Sequence, residues 1–198
     1  RTEARTEDTA FLQFSSGSTG KPKGVRLSHS NLLHNVDAIA RSQGGSSGDS
    51  FLSWLPLFHD MGLIGYHLIP LVLGAEQSLM PPGLFLEDPV LWIEAMHSQR
   101  ATVSASPSSG LSYALRRLEP GRIAGLDLGR MHCLLNGAEP ICCETMQRFA
   151  RALEPAGFPP EAMTPAYGLA EATLCLAAKP KGALPGTHSL SRDALDLY

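Results

Sequence analysis

The run Ser15-Ser16-Gly17-Ser18-Thr19-Gly20-Lys21-Pro22-Lys23-Gly24 resists both helix and strand, and it lies between two short apolar stretches. Small hydroxylated residues, glycines and a proline force a loop there. Its glycines let the backbone curl so that successive N–H groups converge on an anion. Serine and threonine hydroxyls add donors, and Lys21 and Lys23 add positive charge. Together these groups suit a polyphosphate. The loop is not of the Gly-x4-Gly-Lys-Ser/Thr type: Ser15 stands where that pattern needs its first glycine, and Pro22 follows Lys21. The alternative is a solvated linker, against which the short length and flanking apolar runs argue.

Those runs, 10–14 and 23–27, read as strands. A helix follows, opened by Ser28 or Ser30, with Leu32, Leu33, Val36, Ile39 and Ala40 at helical spacing. Gly44-Gly45-Ser46-Ser47-Gly48 ends it. Further strands are expected at 51–55, 76–80, 101–104, 131–135 and 162–165. Helices are expected at 62–73, 89–98, 107–118 and 140–153, and another is expected to start within 169–177. Asp88 is placed to cap the second of these, with Pro89 at its first position. Pro81-Pro82-Gly83 reads as a closing turn. Residues 1–9 form a polar linker end, and beyond Lys179 proline and glycine loosen the pattern. Short strands alternating with longer helices predict an α/β fold, with largely parallel sheets flanked by helices. Ligands in such sheets lie beyond the carboxyl ends of the strands. The irregular loops all follow strands.

Apolar residues make up 43% of the 198 and charged residues 18%, which predicts a folded chain. The net charge of −3, with no Lys/Arg-rich run, offers nothing to nucleic acid or an acidic membrane. Cys133, Cys142, Cys143 and Cys175 form no C-x-x-C pair. They read as small apolar fillers in a reduced, cytoplasmic protein rather than as zinc ligands. The apolar stretch 61–75 is interrupted by Tyr66, His67 and Pro70 and is too short to span a bilayer. The polar start without an initiator Met, and the end at Tyr198, suggest a piece of a longer chain.

Two more segments carry chemistry. In Asn136-Gly137-Ala138-Glu139-Pro140 the turn follows an apolar strand, so backbone groups there can read a base edge; the alternative is a turn that only reverses the chain. In Tyr167-Gly168-Leu169-Ala170-Glu171, Tyr167 offers a ring face for stacking. Glu171 is a carboxylate among apolar neighbours: either a ligand for Mg²⁺ or an exposed helix residue. His59, beside Asp60, either faces a site or is a structural histidine held by that aspartate. The remaining histidines show no ligand spacing.

These motifs resemble, in order, those of the adenylate-forming superfamily of acyl-CoA synthetases, luciferases and peptide-synthetase adenylation domains. The phosphate loop, the adenine segment at 136–140 and the aromatic-Gly-x-small-Glu motif at 167–171 carry that resemblance. Three other runs are similar to fatty acyl-AMP ligases in particular. They are Ser53-Trp54-Leu55-Pro56-Leu57-Phe58-His59-Asp60-Met61-Gly62-Leu63-Ile64-Gly65, then Arg100-Ala101-Thr102-Val103-Ser104, and Tyr167 to Leu174. Residues 179–195 resemble the approach to the insertion that marks those ligases. The resemblance spans about residues 9–194.

The resemblance implies part of the large N-terminal domain of an enzyme that uses ATP and Mg²⁺ to convert a fatty acid to acyl-AMP, releasing pyrophosphate. Ser16, Gly17, Ser18, Thr19, Gly20 and Lys23 would hold the ATP phosphates, and Asn136, Gly137, Ala138, Glu139, Tyr167 and Gly168 would hold the adenine. Glu171 would bind the metal. Thr19, Lys23, Glu171 and His59 are the expected catalytic set, His59 lining the way to the acyl tunnel. The implied acceptor is an acyl carrier protein, in lipid or polyketide synthesis. CoA as acceptor is the alternative, as is a non-catalytic nucleotide-binding module. The latter sits poorly with the presence of Ser18, Thr19, Lys23 and Glu171 together. No segment here matches the family's C-terminal lysine domain or its ribose-binding aspartate, so these 198 residues alone are expected to be inactive. One departure stands out: Ser108-Ser109 follow Pro107 where an Asn and an aromatic are usual. The smaller side chains there are expected to reshape the acyl pocket.

Overall fold

The computed structural model describes residues 3–15, 22–189 and 191. The two apolar runs that flank residues 16–21 pair with each other: β1 (Thr9–Ser15) and β2 (Lys23–Ser28) form an antiparallel hairpin with Ser15 opposite Lys23. Residues 16–21, which include Ser16, Gly17, Ser18, Thr19 and Gly20, lie outside the described residues.

Ser28 caps α1 (His29–Gln43). Its hydroxyl accepts from Asn31 N–H while the Asn31 side chain accepts from Ser28 N–H, a reciprocal capping box. Gly44, in the left-handed region at φ +60°, ends the helix. Leu32, Val36 and Ala40 form its buried stripe.

The main sheet has six strands in the order β4-β3-β5-β6-β7-β8: β3 (Ser50–Ser53), β4 (Glu76–Leu79), β5 (Val103–Ala105), β6 (Cys133–Asn136), β7 (Met163–Gly168) and β8 (Cys175–Ala178). The first five are mutually parallel and β8 runs antiparallel to β7. Parallel pairing demands crossover helices. A π-helix (Met61–Leu68) continued by α2 (Ile69–Leu73) connects β3 to β4, and α3 (Pro82–Glu87) with α4 (Val90–Ser98) connects β4 to β5. Next come α5 (Ser108–Arg117), the single turn α6 (Pro120–Ile123) and α7 (Cys143–Ala152). Ile69 N–H bonds to Ile64 O, five residues back, as the π geometry requires. Gly62 is obligatory at that helix's start, because a Cβ would lie 2.3 Å from Pro56 O.

The core packs an aromatic cluster against the sheet. Trp54 stacks on Phe85 at 3.7 Å between centroids, and the fully buried Trp92 meets both edge-on. Trp92 Nε1–H donates to Ser104 Oγ at 3.0 Å, and that hydroxyl donates to Leu52 O at 2.7 Å. The buried Tyr66 hydroxyl donates to Ser104 O at 2.6 Å.

The structure differs from the sequence reading in two places. Residues 169–177 do not begin a helix; after one 3-10 turn, Ala170–Ala172, the chain becomes β8. Pro81-Pro82-Gly83 does not simply turn, since Pro82 occupies the first turn of α3, where its missing N–H costs nothing. α6 begins in the same way at Pro120. Asp88 does cap α4: its Oδ1 accepts from Val90 N–H at 3.0 Å.

Candidate functional site

Because β3, β6 and β7 are parallel, the loops that leave their carboxyl ends emerge at one edge. That edge carries His59 after β3, the 136–140 turn after β6, and Tyr167 to Glu171 after β7. The hairpin joins them there. Gln13 Nε2 donates to Phe58 O at 3.4 Å, and β1 packs against the 170–172 turn. Lys23, the first residue of β2, is exposed opposite Ser15. The β1–β2 hairpin therefore touches both the His59 loop and the Glu171 turn.

Asn136 does not face this edge. It is fully buried: Nδ2 donates to Ser106 O at 2.8 Å, and Oδ1 accepts from the Ser108 hydroxyl at 3.1 Å. The Ser108 hydroxyl also accepts from Cys142 N–H at 3.1 Å. Glu139 spends its carboxylate on Ser109 N–H. What the segment offers a ligand is backbone. Ala138 holds a left-handed φ of +70°, and a Cβ on Gly137 would lie 2.9 Å from Ala166 O. Ser108 and Ser109 thus tie α5 to the 136–142 segment, and neither lines the large cavity described below.

Tyr167 projects from the end of β7 with 62% of its surface exposed. The Glu171 carboxylate is exposed and bonds to none of the described residues. Among the described residues, no three His, Cys, Asp or Glu side chains are grouped to hold a metal. A single open carboxylate still fits Mg²⁺, which commonly takes one or two protein oxygens and completes its shell with phosphate and water.

Asp60 Oδ1 accepts from Met61 N–H at 2.7 Å and lies 2.9 Å from His59 Nδ1. This bond raises the His59 pKa above the ordinary imidazole value, against the opposing effect of burial.

Below the edge lies an apolar cavity. It has a volume of about 170 Å³, is partly open to solvent, and runs between α1, the π-helix and the sheet. Its mouth is lined by His59, Asp60, Gly137, Ala138, Tyr167 and Gly168, and its wall by Ile39, Ala40, Phe51, Ile69, Leu135 and Leu174. It extends to Gln43 and His132, at the opposite edge of the sheet. β6 measures about 13 Å from Cys133 to Gly137 at the usual strand rise. Sequence reasoning placed His59 on the way to such a tunnel but took Ile39 and Ala40 only as a helix face. No local signal marks them, because the cavity is closed by segments far apart in the chain.

Residues 1–192 match the family model for the AMP-binding enzyme, and the chain belongs to that family. It is 41% identical over 171 residues to a medium-chain-fatty-acid–[acyl-carrier-protein] ligase, TtuA, of Teredinibacter turnerae, covering 86% of this chain and 27% of that protein. It is 41% identical over 193 residues to the long-chain-fatty-acid–AMP ligase FadD32 of Mycolicibacterium smegmatis, covering 94% and 30%. The fold matches the crystal structure of the fatty acyl-adenylate ligase from Legionella pneumophila in complex with acyl adenylate and pyrophosphate. The TM-score is 0.89 at 42% identity, over 92% of this chain and 32% of that one. The chain spans about a third of the length of the proteins it matches.

Proposed function

We propose that this chain forms the ATP- and acyl-binding part of a fatty acid–AMP ligase whose remaining segments complete catalysis. The observation that carries this reading is the apolar cavity lined by His59 and Tyr167 at the carboxyl edge of the sheet. A carboxylate whose tail fills that cavity is left with its head at the edge, beside the hairpin and Glu171. Apolar lining favours an alkyl chain at about 25 cal/mol per Å² buried.

The chemistry is displacement at the α-phosphorus of ATP: the fatty carboxylate attacks, pyrophosphate leaves, and acyl-AMP forms. Such a step needs positioning and positive charge more than a covalent nucleophile. Lys23 stands at the base of the phosphate loop, and Thr19 and its neighbours are proposed to hold the β- and γ-phosphates. The backbone at 137–138 reads the adenine edge and Tyr167 stacks on its face. Glu171 is the residue that would hold Mg²⁺, which supplies compensation for charge on the departing pyrophosphate. His59, its protonated form favoured by Asp60, attracts the carboxylate to the cavity mouth. The acceptor is an acyl carrier protein, as named for TtuA. The four cysteines, all free, fit a reducing compartment, and no helix among the described residues is long and apolar enough to cross a membrane.

The test uses the full-length protein with ATP, Mg²⁺ and a mixture of fatty acids, with and without CoA, read by mass spectrometry. Acyl-AMP that persists in the presence of CoA is expected. Conversion to acyl-CoA would reassign the acceptor, and no adduct would overturn the enzymatic reading. Ala40→Phe, which fills the wall of the cavity, is expected to shift the products to shorter chains.

A further inference from the structure

β8 is an edge strand, and the outward N–H and C=O groups of an edge strand are normally left to water or to another strand. At Cys175 they are taken by a side chain. Asn35, on α1 and 140 positions earlier, donates from Nδ2 to Cys175 O at 2.9 Å and accepts at Oδ1 from Cys175 N–H at 3.1 Å. A carboxamide carries the same donor–acceptor pair as a peptide unit, so Asn35 serves as a one-residue neighbouring strand.

The turn just before this clamp is constrained at two more points. Thr173 is buried and holds φ +75° and ψ −59°, the γ-turn region, which is rare and strained. Such conformations persist only where the surroundings over-determine them. Gly168, the register partner of Cys175, leaves no room for relaxation: a Cβ there would lie 1.8 Å from Leu174 O. Glu171 lies between these points, in the 3-10 turn closed by Ala172 N–H to Leu169 O and Thr173 N–H to Ala170 O, each at 3.0 Å.

We propose that Asn35 is a positioning residue for Glu171: by pinning Cys175 to α1 it holds the 169–175 turn, which packs against β1, in its strained form. This rests on Glu171 being the metal-binding carboxylate. Asn35 touches no reacting group and acts through the turn alone.

The test is a double-mutant cycle in the full-length enzyme with Asn35→Ala, Glu171→Ala and the double variant, read as pyrophosphate release against Mg²⁺ and fatty acid concentration. Mg·ATP affinity by titration calorimetry and amide exchange across 169–178 supply readouts independent of turnover. Asn35→Ala is expected to lower kcat and weaken the Mg²⁺ dependence about tenfold, as loss of a residue that orients a metal ligand does. It should speed exchange in the turn and leave the KM for fatty acid unchanged. In the Glu171→Ala background it should have no further effect, because the residue it positions is gone. Additive losses, or a defect mainly in the fatty acid KM, would overturn the proposal. Leu174 and Cys175 also line the cavity, and a merely structural role for Asn35 would surface there. If Asn35→Ala fails to fold, Asn35→Asp replaces it: it keeps the acceptor for Cys175 N–H, loses the donor to Cys175 O, and should give the same pattern at smaller size. A Glu171→Ala enzyme of unchanged rate and Mg²⁺ dependence would overturn the metal reading together with this one, whereas additivity alone would overturn only the role of Asn35.

Discussion

The two ends of the parallel strands treat their polar groups in opposite ways. At the amino-terminal edge, Asp49 is buried and saturated. Its Oδ1 accepts from the Thr102 hydroxyl at 2.8 Å and lies 2.7 Å from His132 Nε2, while Oδ2 accepts from Ser46 N–H at 2.8 Å and from the Ser46 hydroxyl at 3.2 Å. Among the described residues, only His132 Nδ1 in that network lacks a partner. At the carboxyl edge, Tyr167, Glu171 and Lys23 are exposed, and their side chains bond to none of the described residues. Folding satisfies the first set. The second set is held in place by strained or crowded backbone at Ala138, Gly168 and Thr173 while its side chains stay open. Polar groups that serve stability are closed on one another, whereas groups for a ligand are fixed but unspent.

If this division is right, Glu171→Ala in the full-length enzyme should lower acyl-AMP formation about a thousandfold. Its melting temperature should hardly move, since surface changes stay within about 0.5 kcal/mol. Pyrophosphate release and a thermal melt measure both.

Asp49→Ala should do the reverse, destabilising by about 3 kcal/mol in denaturant titration because it strands the buried partners of a charged group. The kcat of the remaining folded protein should stay near that of the parent. Burial alone would raise the Asp49 pKa, but the hydrogen bonds from His132, Thr102 and Ser46 outweigh it and hold it low. A depressed carboxyl pKa contributes stability above the unfolded value, about 3.9, and that contribution is lost as pH falls through the folded value. Asp49→Ala should therefore flatten the acid limb of the stability–pH curve below about pH 4.

Gly168→Ala should be costly in both respects: about 2 kcal/mol of overpacking and a displaced Glu171 turn. Denaturant midpoints together with Mg²⁺ titrations would detect this. A neutral outcome would break the contrast, because it would mean that the carboxyl edge is not rigid.

Smaller effects sharpen it. Tyr167→Ala should raise the KM for ATP about fivefold while Tyr167→Phe changes it little, since stacking needs the ring and not the hydroxyl. His59, whose pKa is raised by Asp60, keeps its charge to higher pH than a free imidazole, so the KM for fatty acid should rise only as pH passes above that raised value. In Asp60→Asn the rise should begin at lower pH. A pH-independent KM would remove His59 from the site.

Much of this fold follows from periodicity and punctuation along the chain. The strands that flank 16–21, a serine cap on α1 at Ser28 or Ser30, the stop at Gly44, and β5, β6 and α7 depend on local rules of apolar spacing, caps and glycine conformations, while the pairing of the two strands and the choice of Ser28 are seen only in the structure. The convergence of the 136–140 and 167–171 motifs was legible too, because parallel strands must send their carboxyl ends to one side. The segment Ala170-Glu171-Ala172-Thr173-Leu174-Cys175-Leu176-Ala177 was not legible. Its alanines, leucines and glutamate favour a helix, yet pairing with β7 and the Asn35 clamp make it a turn and a strand, and these contacts outweigh a preference of a few tenths of a kcal/mol per residue. Asn136 reads as a ligand-facing residue until the packing of α5 against β6 consumes its side chain. The cavity is set by Ile39, Tyr66, Leu135 and Leu174 meeting across more than a hundred residues. Short-range pattern carries the order of elements and the chemistry of each loop, but which side chains are spent and which stay open is a property of contacts between distant segments, formed when the layers pack.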